Sequence, residues 1–271
     1  MKELDQLSEK IELSALQSLH QCCPTNVRQM LGLELVEIAD GVAACSRADQ
    51  SILLNRVLGL GSKESVASES IEQVSEAYRS RDIENYFLHI YPESLSAEAK
   101  KLLSGSDYIK KRGWMKFQTG RPVPRETFTD LRVEQISPYE NQEQSRDFGR
   151  IICDAFGMSD MSIPLLAGLA NDDRWKLFVT YDGDQAAGAG GLFVDGNLGW
   201  VEWGATVPAF RRRGSQAAIM AARLSLASEL GCEYVFTETG EEVEGDPQHS
   251  YKNILKAGFI ESVLRENYAP S

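Results

Sequence analysis

Two Asp-Gly pairs constrain the fold of this chain more than any other sequence feature. Asp182-Gly183 follows the run WKLFVTY, and Asp195-Gly196 lies between the runs QAAGAGGLFV and LGWVEWGATV. Asp-Gly readily adopts the positive backbone φ that a two-residue hairpin turn requires. The pattern therefore predicts three consecutive antiparallel strands, over residues 175–181, 185–194 and 198–207.

A helix and a parallel strand are predicted directly after this meander. Apolar side chains recur there at steps of three and four residues, which is the spacing of one helix face; they are Ala217, Met220, Leu224, Ala227 and Leu230. Gly231 suits the left-handed position that ends a helix. Because a helical crossover joins them, the strand predicted over residues 233–237 should lie parallel to the strand over residues 198–207.

The remaining elements of the C-terminal half complete an α/β (α+β) pattern. Strands are predicted over residues 131–136 and 263–268, and helices over residues 142–156, near Pro164 and over residues 250–257. We therefore expect a mixed sheet flanked by helices.

A proline-rich segment divides the chain into two halves. The sequence GRPVPR begins at Gly120, and its glycine and two prolines are excluded from helices and central strands. Residues 121–126 are therefore a predicted linker between domains over residues 1–120 and 127–271. The first half has the order hairpin, strand, glycine turn, helix, strand, helix, which parallels the second. We expect two tandem copies of one fold, the first degenerate.

Composition excludes several classes of partner. The net charge of −12 and the pI near 4.9 argue against binding of nucleic acid. Acidic residues near Met1 do not suit a signal peptide, and no apolar run reaches the ~18 residues of a membrane span. We expect a cytoplasmic protein that does not bind membranes. Five cysteines without paired spacing and three histidines indicate reduced thiols and no metal site.

An arginine-rich turn, PAFRRRGSQ over residues 208–216, opens the helix that follows the meander. A helix N-terminus presents unpaired backbone N–H groups and the positive end of the macrodipole, which both favour an anion. Gly214 lets the backbone approach a ligand closely. Arg211, Arg212 and Arg213 can donate charge-assisted hydrogen bonds to phosphate. The turn therefore predicts a site for a diphosphate-bearing cofactor.

The turn resembles the acyl-CoA signature of the GNAT superfamily of N-acetyltransferases, which is Arg/Gln-x-x-Gly-x-Gly/Ala between a strand and a helix. Arg211, Gly214 and Gln216 fall on its three defined positions, although Gln216 replaces the usual Gly or Ala. The resemblance covers about residues 127–271. It implies a GNAT-like fold whose parallel strands, residues 203–207 and 235–239 here, separate to admit the cofactor.

The resemblance also implies acetyl-CoA as the co-substrate and suggests which residues contact it. Backbone amides of residues 212–217 would hold the diphosphate, and the end of the preceding strand would pair with the pantetheine arm. The implied cofactor-binding residues are Ala205, Thr206, Val207, Arg211, Arg212, Arg213, Gly214, Ser215, Gln216, Ala217 and Asn253.

The general acid is not evident in the sequence. Many family members have a tyrosine acid four residues before a Gly-Phe pair, and this chain has Ile254 at that position before Gly258. Isoleucine cannot donate a proton. Ser250 and Tyr251, on the same predicted helix, are candidate replacements, although each is also an ordinary residue for the start of a helix.

Glu202 is the candidate general base. It lies between Trp200 and Trp203 in the third strand of the meander, and apolar neighbours raise the pKa of a carboxyl group toward the working range of a base. An exposed strand carboxylate is the alternative reading. Glu238, at the end of the next strand, is a second candidate.

These features favour an N-acetyltransferase that transfers an acetyl group from acetyl-CoA to a primary amine of a small molecule or amino acid. The first half lacks the arginine turn, so we expect it to bind no CoA and to shape the acceptor site or a homodimer interface. A non-catalytic acyl-CoA-binding sensor or partner-binding module is the alternative, which Ile254 favours. Transfer of a longer acyl group is a third possibility.

Overall fold

The computed structural model describes residues 3–123, 125–137, 142–245 and 249–271. Within these ranges the helices are α1 (Glu3–Gln21), α2 (Thr25–Leu31), α3 (Ser68–Arg79), α4 (Ala97–Leu103), α5 (Gln142–Phe156), α6 (Ile163–Ala167), α7 (Ser215–Glu229) and α8 (His249–Lys256). The strands are β1 (Leu33–Ile38), β2 (Gly41–Ser46), β3 (Arg56–Leu58), β4 (Phe87–Ile90), β5 (Tyr108–Thr119), β6 (Arg132–Gln135), β7 (Trp175–Asp182), β8 (Gln185–Asp195), β9 (Leu198–Thr206), β10 (Tyr234–Gly240) and β11 (Ile260–Pro270).

All of these strands form one mixed sheet, in the order β1-β2-β3-β4-β11-β5-β10-β9-β8-β7-β6. The predicted meander is confirmed, because β7, β8 and β9 pair antiparallel and Gly183 and Gly196 have φ values of 57° and 61°. β10 pairs parallel with β9 after the α7 crossover, as predicted. The predicted fold class, a mixed sheet flanked by helices, is confirmed.

The two halves of the chain are interleaved at the centre of the sheet. β5, from the first half, pairs antiparallel with both β10 and β11. β11, at the end of the second half, pairs antiparallel with both β5 and β4. Each half thus lends a strand to the other. Of the predicted linker, Pro124 lies outside the described residues, and the described residues between Thr119 and Arg132 form neither helix nor strand.

The first half follows the strand–helix–strand order of the second. β3 and β4 are parallel and α3 joins them, just as β9 and β10 are parallel and α7 joins them. The antiparallel pair β1–β2 precedes β3. The first half also has α2, a short helix that the sequence analysis did not predict. This correspondence supports two copies of one architecture.

The helices cover both faces of the sheet in the second half. On one face, α1, α2, α5 and α6 pack against side chains such as Trp200; we call this the α1/α5 face. On the other face, α7 and α8 pack against side chains such as Val201; we call this the α7/α8 face. Neighbouring residues of β9 point to opposite faces because strand side chains alternate. None of the described helices is long and apolar enough to span a membrane.

Candidate functional site

β9 and β10 separate halfway along their length. Their pairing runs from Leu198 and Tyr234 to Val201 and Thr237, where Thr237 Oγ1 donates a hydrogen bond of 2.8 Å to Val201 O. Beyond this point β9 pairs only with β8, and β10 pairs only with β5. The facing edges of residues 202–206 and 238–240 therefore border a V-shaped gap. The gap lies between the two predicted strands, but on β10 it begins only at Glu238, because Val235, Phe236 and Thr237 of the predicted range 235–239 still pair with β9.

A β-bulge in β9 lies just beyond the vertex of this gap. Trp203 and Gly204 together oppose the single residue Gly190 of β8. Trp203 has a φ of 58°, a left-handed conformation that is rare for a bulky residue. Bulges redirect side chains and are common beside active sites, and backbone strain of this kind clusters at functional sites.

A cavity of about 410 Å³ opens at the gap. Its walls come from both halves of the chain: residues 51–53, Arg56 and Trp114 from the first, and Phe156 with parts of β9, β10, α7 and α8 from the second. Residues of the α7/α8 face and of the α1/α5 face both line it, so the cavity passes through the sheet. A ligand that enters between α7 and α8 can therefore meet a second ligand on the other face.

The arginine turn at the start of α7 presents a row of unpaired amides. Among the described residues, the backbone N–H groups of residues 212–217 have no hydrogen-bond acceptor. Gly214 has a φ of 83°, and a Cβ there would lie 2.0 Å from the carbonyl oxygen of Phe128. Thr129 Oγ1 holds the turn from the same side with a hydrogen bond of 2.8 Å to Arg213 O. Glycine is thus required both for conformation and for space.

The three arginine side chains of the turn differ in their surroundings. Arg213 forms ion pairs with Asp130 at 2.5 Å and with Asp182 at 2.6 Å, and these hydrogen bonds raise the pKa of Arg213. Its side chain therefore anchors the turn to the sheet. Arg211 and Arg212 are exposed and form no ion pair within the described part of the chain. These two guanidinium groups are the ones that can reach an anion.

The first residues of α7 shape the entrance from the α7/α8 face. The Ser215 hydroxyl is buried against Thr180 Oγ1 at 2.8 Å, so this residue has only its backbone N–H at the turn. Gln216 Oε1 accepts a hydrogen bond of 2.9 Å from Asn253 Nδ2, and both side chains line the cavity. Gln216 thus joins α7 to α8 at the position where the family usually has Gly or Ala. Ala217 is exposed beside them.

The end of β9 divides its hydrogen bonds between two sides. Val207 N donates to Ala187 O at 2.9 Å, which commits this amide to β8. Successive peptide groups of a strand point to opposite edges, so Ala205 also faces β8 and Thr206 faces the gap. The Thr206 hydroxyl is buried and has no partner within the described residues. Of the three predicted contacts Ala205, Thr206 and Val207, it is Thr206 whose N–H and C=O face the gap, where they could pair with a pantetheine arm.

Glu202 is the first residue of β9 beyond the last pair with β10, and its carboxylate lines the cavity. Arg56 Nη2 lies 2.9 Å from Glu202 Oε1, and Trp200 Nε1 donates to Oε2 at 3.1 Å. Burial raises the pKa of Glu202 more than the Arg56 charge lowers it, so the net shift is upward. A carboxyl group with a raised pKa therefore lies at the vertex of the gap.

Glu238 occupies the matching position on β10. Arg265 Nη2 donates to its Oε2 at 2.6 Å, and Arg56 Nη1 lies 3.8 Å from its Oε1. Burial raises the pKa of Glu238, although Arg265 opposes this shift. Glu202 and Glu238 therefore face the gap from its two strands, with Arg56 between them.

Beneath the cavity lies a buried cluster of charges that the sequence analysis did not find. Glu9 and Glu12 of α1 are 3% and 1% exposed, where an amphipathic pattern predicts a solvated helix face. Lys116 Nζ lies 2.6 Å from Glu12 and 3.0 Å from Glu9, and Arg265 Nη1 lies 2.9 Å from Glu12. Since Lys116 and Arg265 lie on β5 and β11, the cluster forms where the two halves exchange strands.

The residues proposed as acids separate in space. Ser250 and Ile254 line the cavity, so the position of the family's tyrosine is at the site but has no proton to donate. Tyr251 does not line the cavity. Its ring packs edge-on against Phe117, and its hydroxyl donates to Glu261 Oε1 at 2.6 Å. Burial raises the pKa of Tyr251, and the structure does not bring this hydroxyl to Glu202.

Comparison with known proteins identifies the fold. No protein-family model matches the sequence, and no curated protein matches it. Among solved structures, a GCN5-related N-acetyltransferase from Kribbella flavida is similar, with a TM-score of 0.65, 13% identity, and coverage of 97% of this chain and 95% of that one. A GCN5-related N-acetyltransferase from Sphaerobacter thermophilus has a TM-score of 0.60, 15% identity, and coverage of 90% and 84%.

A conserved protein of unknown function from Staphylococcus epidermidis is similar as well, with a TM-score of 0.59, 9% identity, and coverage of 92% of this chain and 98% of that one. The chain therefore has the fold of the GCN5-related N-acetyltransferases. Because the similarity extends over nearly the whole chain, it includes both halves.

Proposed function

We propose that this protein transfers an acetyl group from acetyl-CoA to a primary amine of a small molecule. The observation that supports this most is the cavity at the gap between β9 and β10, which Glu202 lines together with Gln216, one of the residues 212–217 whose amides are unpaired. The end at Gln216 suits a diphosphate, and the end at Glu202 has a buried carboxylate that can accept a proton.

The residues at and beside this cavity fit acetyl-CoA. Amides at the start of α7, with Arg211 and Arg212 beside them, match the charge and hydrogen-bonding needs of a diphosphate. The Thr206 peptide group at the gap can pair with the amides of a pantetheine arm, as a neighbouring strand would. Asn253 lines the cavity from α8. When bound, acetyl-CoA would supply the activated thioester.

Glu202 is the proposed general base. A primary amine is protonated at neutral pH and must lose a proton before or during its attack on the thioester carbon. The raised pKa of Glu202 suits this exchange, because a base is most effective when its pKa lies near the working pH. Direct transfer needs no covalent enzyme intermediate, since placing the amine beside the thioester removes a large entropic barrier.

The α1/α5 side of the cavity is the proposed acceptor site. Trp200, Trp203, Phe156 and Ile52 give it aromatic and apolar walls, and Glu202 gives it a negative group. Aromatic faces and carboxylates both attract an ammonium group. We therefore propose that the acceptor is an amine with an apolar body, held partly by residues 51–53 of the first half.

Release of free CoA thiol from acetyl-CoA, measured across a panel of primary amines, tests this function. We expect turnover with at least one apolar amine, and about a 100-fold or greater loss of kcat in Glu202→Gln. The kcat/KM of the wild type should fall at low pH as Glu202 becomes protonated, and this limb should disappear in Glu202→Gln. The matched control is Glu233→Gln, an exposed carboxylate outside the cavity, whose activity should be unchanged.

The alternative of a non-catalytic acyl-CoA sensor makes a different prediction. A sensor would bind acetyl-CoA but release no thiol with any amine of the panel, and Glu202→Gln would then have no kinetic effect to show. Binding without turnover would therefore replace the transferase proposal with the sensor.

A further inference from the structure

Arg223 of α7 is a buried cation for which the described residues provide no counter-charge. Its side chain is 2% exposed, and among the described residues no Asp or Glu lies within ion-pair distance of it. This differs from Arg56 and Arg265, which are equally buried but pair with carboxylates. Burial of a charge without a partner is unfavourable in free energy, so the burial of Arg223 requires an explanation.

Part of the Arg223 guanidinium supports the β-bulge. Nη1 donates to Gly191 O at 3.1 Å and to Glu202 O at 3.2 Å, which are carbonyls on either side of the interrupted β8–β9 ladder. A Cβ on Gly190 would lie 3.0 Å from Cζ, so the glycine leaves room for the guanidinium against the strand. These bonds satisfy one nitrogen and leave the positive charge uncompensated.

The rest of the guanidinium is available to a ligand. Nε is buried and has no hydrogen-bond partner among the described residues. Nη2 donates only to Met220 Sδ among the described residues, at 3.8 Å, and a thioether sulfur is a weak acceptor. Arg223 lines the cavity. Gly204 has no side chain next to it, and a Cβ on Gly204 would lie 3.9 Å from Arg223 Nη2. A buried donor thus borders the gap.

The position of Arg223 indicates which anion it meets. It lies on the α7/α8 face, about 12 Å along the helix from Ser215 at the diphosphate turn, whereas the carboxylates of Glu202 and Glu238 lie toward the α1/α5 face with Arg56. A pantetheine arm that runs from the turn to the vertex of the gap passes this part of α7. The group at the end of that arm is the sulfur of the acyl donor.

We propose that Arg223 binds the sulfur of the acyl donor and stabilises the leaving thiolate. This role rests on the proposed function. The amine nitrogen attacks the thioester carbon, the C–S bond breaks, and its electron pair remains on sulfur as a thiolate beside Arg223. Glu202 takes the ammonium proton and passes it to solvent before the attack, and then accepts the second N–H proton as the amide forms. A guanidinium thus takes over the task of the missing acid, because Ile254 cannot protonate the leaving group.

Titration of the thiol of bound CoA tests this role in the wild-type protein. An apolar cavity without a cation would raise the pKa of a buried thiol, whereas an adjacent unpaired guanidinium lowers it. We expect the bound thiol to ionise at least one pH unit below free CoA, which is a tenfold larger thiolate-to-thiol ratio at a given pH. The ultraviolet absorbance of the thiolate, measured against unliganded protein, reports this.

The protein's own thiols do not interfere with the titration. Burial raises the pKa of Cys23 and Cys45 to about 11 and that of Cys153 to about 12. Burial raises the pKa of Cys22 and Cys232 as well. These shifts move the thiols of the protein away from the range in which bound CoA is expected to titrate, and the unliganded protein serves as the blank for their absorbance.

Two variants separate the ligand role from support of the bulge. Arg223→Lys can carry a charge at this buried position only when the bound thiolate pairs with it, so it should retain part of the shift, while Arg223→Met should reverse the shift and lower kcat more than it raises the KM for acetyl-CoA. CoA bound to the wild type with an unshifted or raised thiol pKa would overturn the role of Arg223 but not the proposed function. Failure of the wild type to bind CoA would overturn both, and calorimetry distinguishes these results.

Discussion

The two halves of this protein build the same strand–turn–helix connection and use it in opposite ways. In the second half, the turn between β9 and α7 leaves the amides of residues 212–217 without acceptors among the described residues. In the first half, a carboxylate of the chain itself binds the middle of the turn between β3 and α3. The Asp40 carboxylate accepts hydrogen bonds from the amides of Gly61 at 2.9 Å, Lys63 at 2.7 Å and Glu64 at 3.2 Å.

A second carboxylate binds groups in the next part of the first half. Glu9 Oε1 accepts a hydrogen bond of 2.7 Å from Gly59 N, just after β3, and Glu9 Oε2 accepts one of 2.6 Å from Tyr91 OH, just after β4. The corresponding place in the second half is the open gap between β9 and β10. Internal carboxylates thus bind groups of the β3–α3 turn and of the segments just after β3 and β4, whereas the described residues provide no acceptor for the amides of residues 212–217, where we propose that acetyl-CoA binds. A turn whose amides bind an anion can therefore stabilise the fold when a side chain of the same protein supplies that anion.

The largest expected effect tests whether the two copies form one folding unit. Lys116→Met removes a cation from the buried cluster and leaves Glu9 and Glu12 less compensated, so the free energy of unfolding should fall by about 3–5 kcal/mol. Because β5 and β11 are exchanged between the halves, circular dichroism and tryptophan fluorescence should report one shared transition. Lys110→Met, at an exposed pair on the same strand, is the control and should change stability by less than about 1 kcal/mol. Two separate transitions would contradict a shared sheet core.

Replacement of one glycine in each turn distinguishes the ligand-binding role of the β9–α7 turn from the structural role of the β3–α3 turn. Gly214→Ala places a side chain at positive φ and against the Phe128 carbonyl, so it should displace the amides and raise the Kd for acetyl-CoA about 30-fold, ~2 kcal/mol. Gly61→Ala meets a similar conflict in the first half, where φ is 79° and a Cβ would lie 2.4 Å from Ser94 Oγ. It should lower the melting temperature without changing that Kd. Equal effects on affinity would show that both turns contact the ligand.

The β3–α3 turn should contribute to stability and not to binding. Asp40→Ala leaves three backbone amides without their acceptor, and we expect a loss of about 1–2 kcal/mol in urea unfolding with an unchanged Kd for acetyl-CoA. Weaker acetyl-CoA binding in this variant would contradict the division between the halves.

This contribution should also depend on pH. Burial would raise the pKa of Asp40, but hydrogen bonds from the amides of Lys63, Gly61 and Glu64 lower it, and the net shift is downward. A lowered folded-state pKa stabilises the protein above the unfolded value, ~3.9 for aspartate. The stability difference between the wild type and Asp40→Asn should therefore be constant at neutral pH and decrease as the pH falls below about 4.

The smallest expected effect concerns the exposed arginines. Arg211→Ala or Arg212→Ala should raise the Kd for acetyl-CoA about 3–10-fold and weaken its salt dependence, since each removes one charge near the diphosphate. Lys63→Ala removes a positive charge from the turn of the first half and should leave the Kd unchanged. An equal effect of Lys63→Ala would mean that only net charge matters.

Local patterns were sufficient to predict most of the second half. The Asp-Gly turns and the apolar face of α7 follow from short-range spacing, whereas the gap between β9 and β10 was implied by the family resemblance of the turn at Gly214. The exchange of β5 and β11 could not be predicted in this way, because strand pairing across the whole chain leaves no local mark. For the same reason no local pattern indicates that the exchanged strands bury Glu9 and Glu12 beside Lys116.

The candidate site was only partly evident in the sequence. Glu202 and Asn253 were predicted as site residues, and both line the cavity. The Tyr251 hydroxyl instead contacts Glu261 on β11, because helix spacing does not specify where a side chain points. Arg56 reaches the cavity from the first half, which no motif indicates. The sequence does contain a signal for Arg223, because this arginine lies directly beside Leu224 in the apolar face of α7.

Isothermal titration calorimetry of the full chain with acetyl-CoA tests the division between the halves most directly. We predict one site per chain in the wild type, with the same stoichiometry and Kd in Asp40→Ala and a strongly weakened Kd in Gly214→Ala. Two equivalent sites per chain, or a single site that survives Gly214→Ala and is lost in Asp40→Ala, would contradict the account.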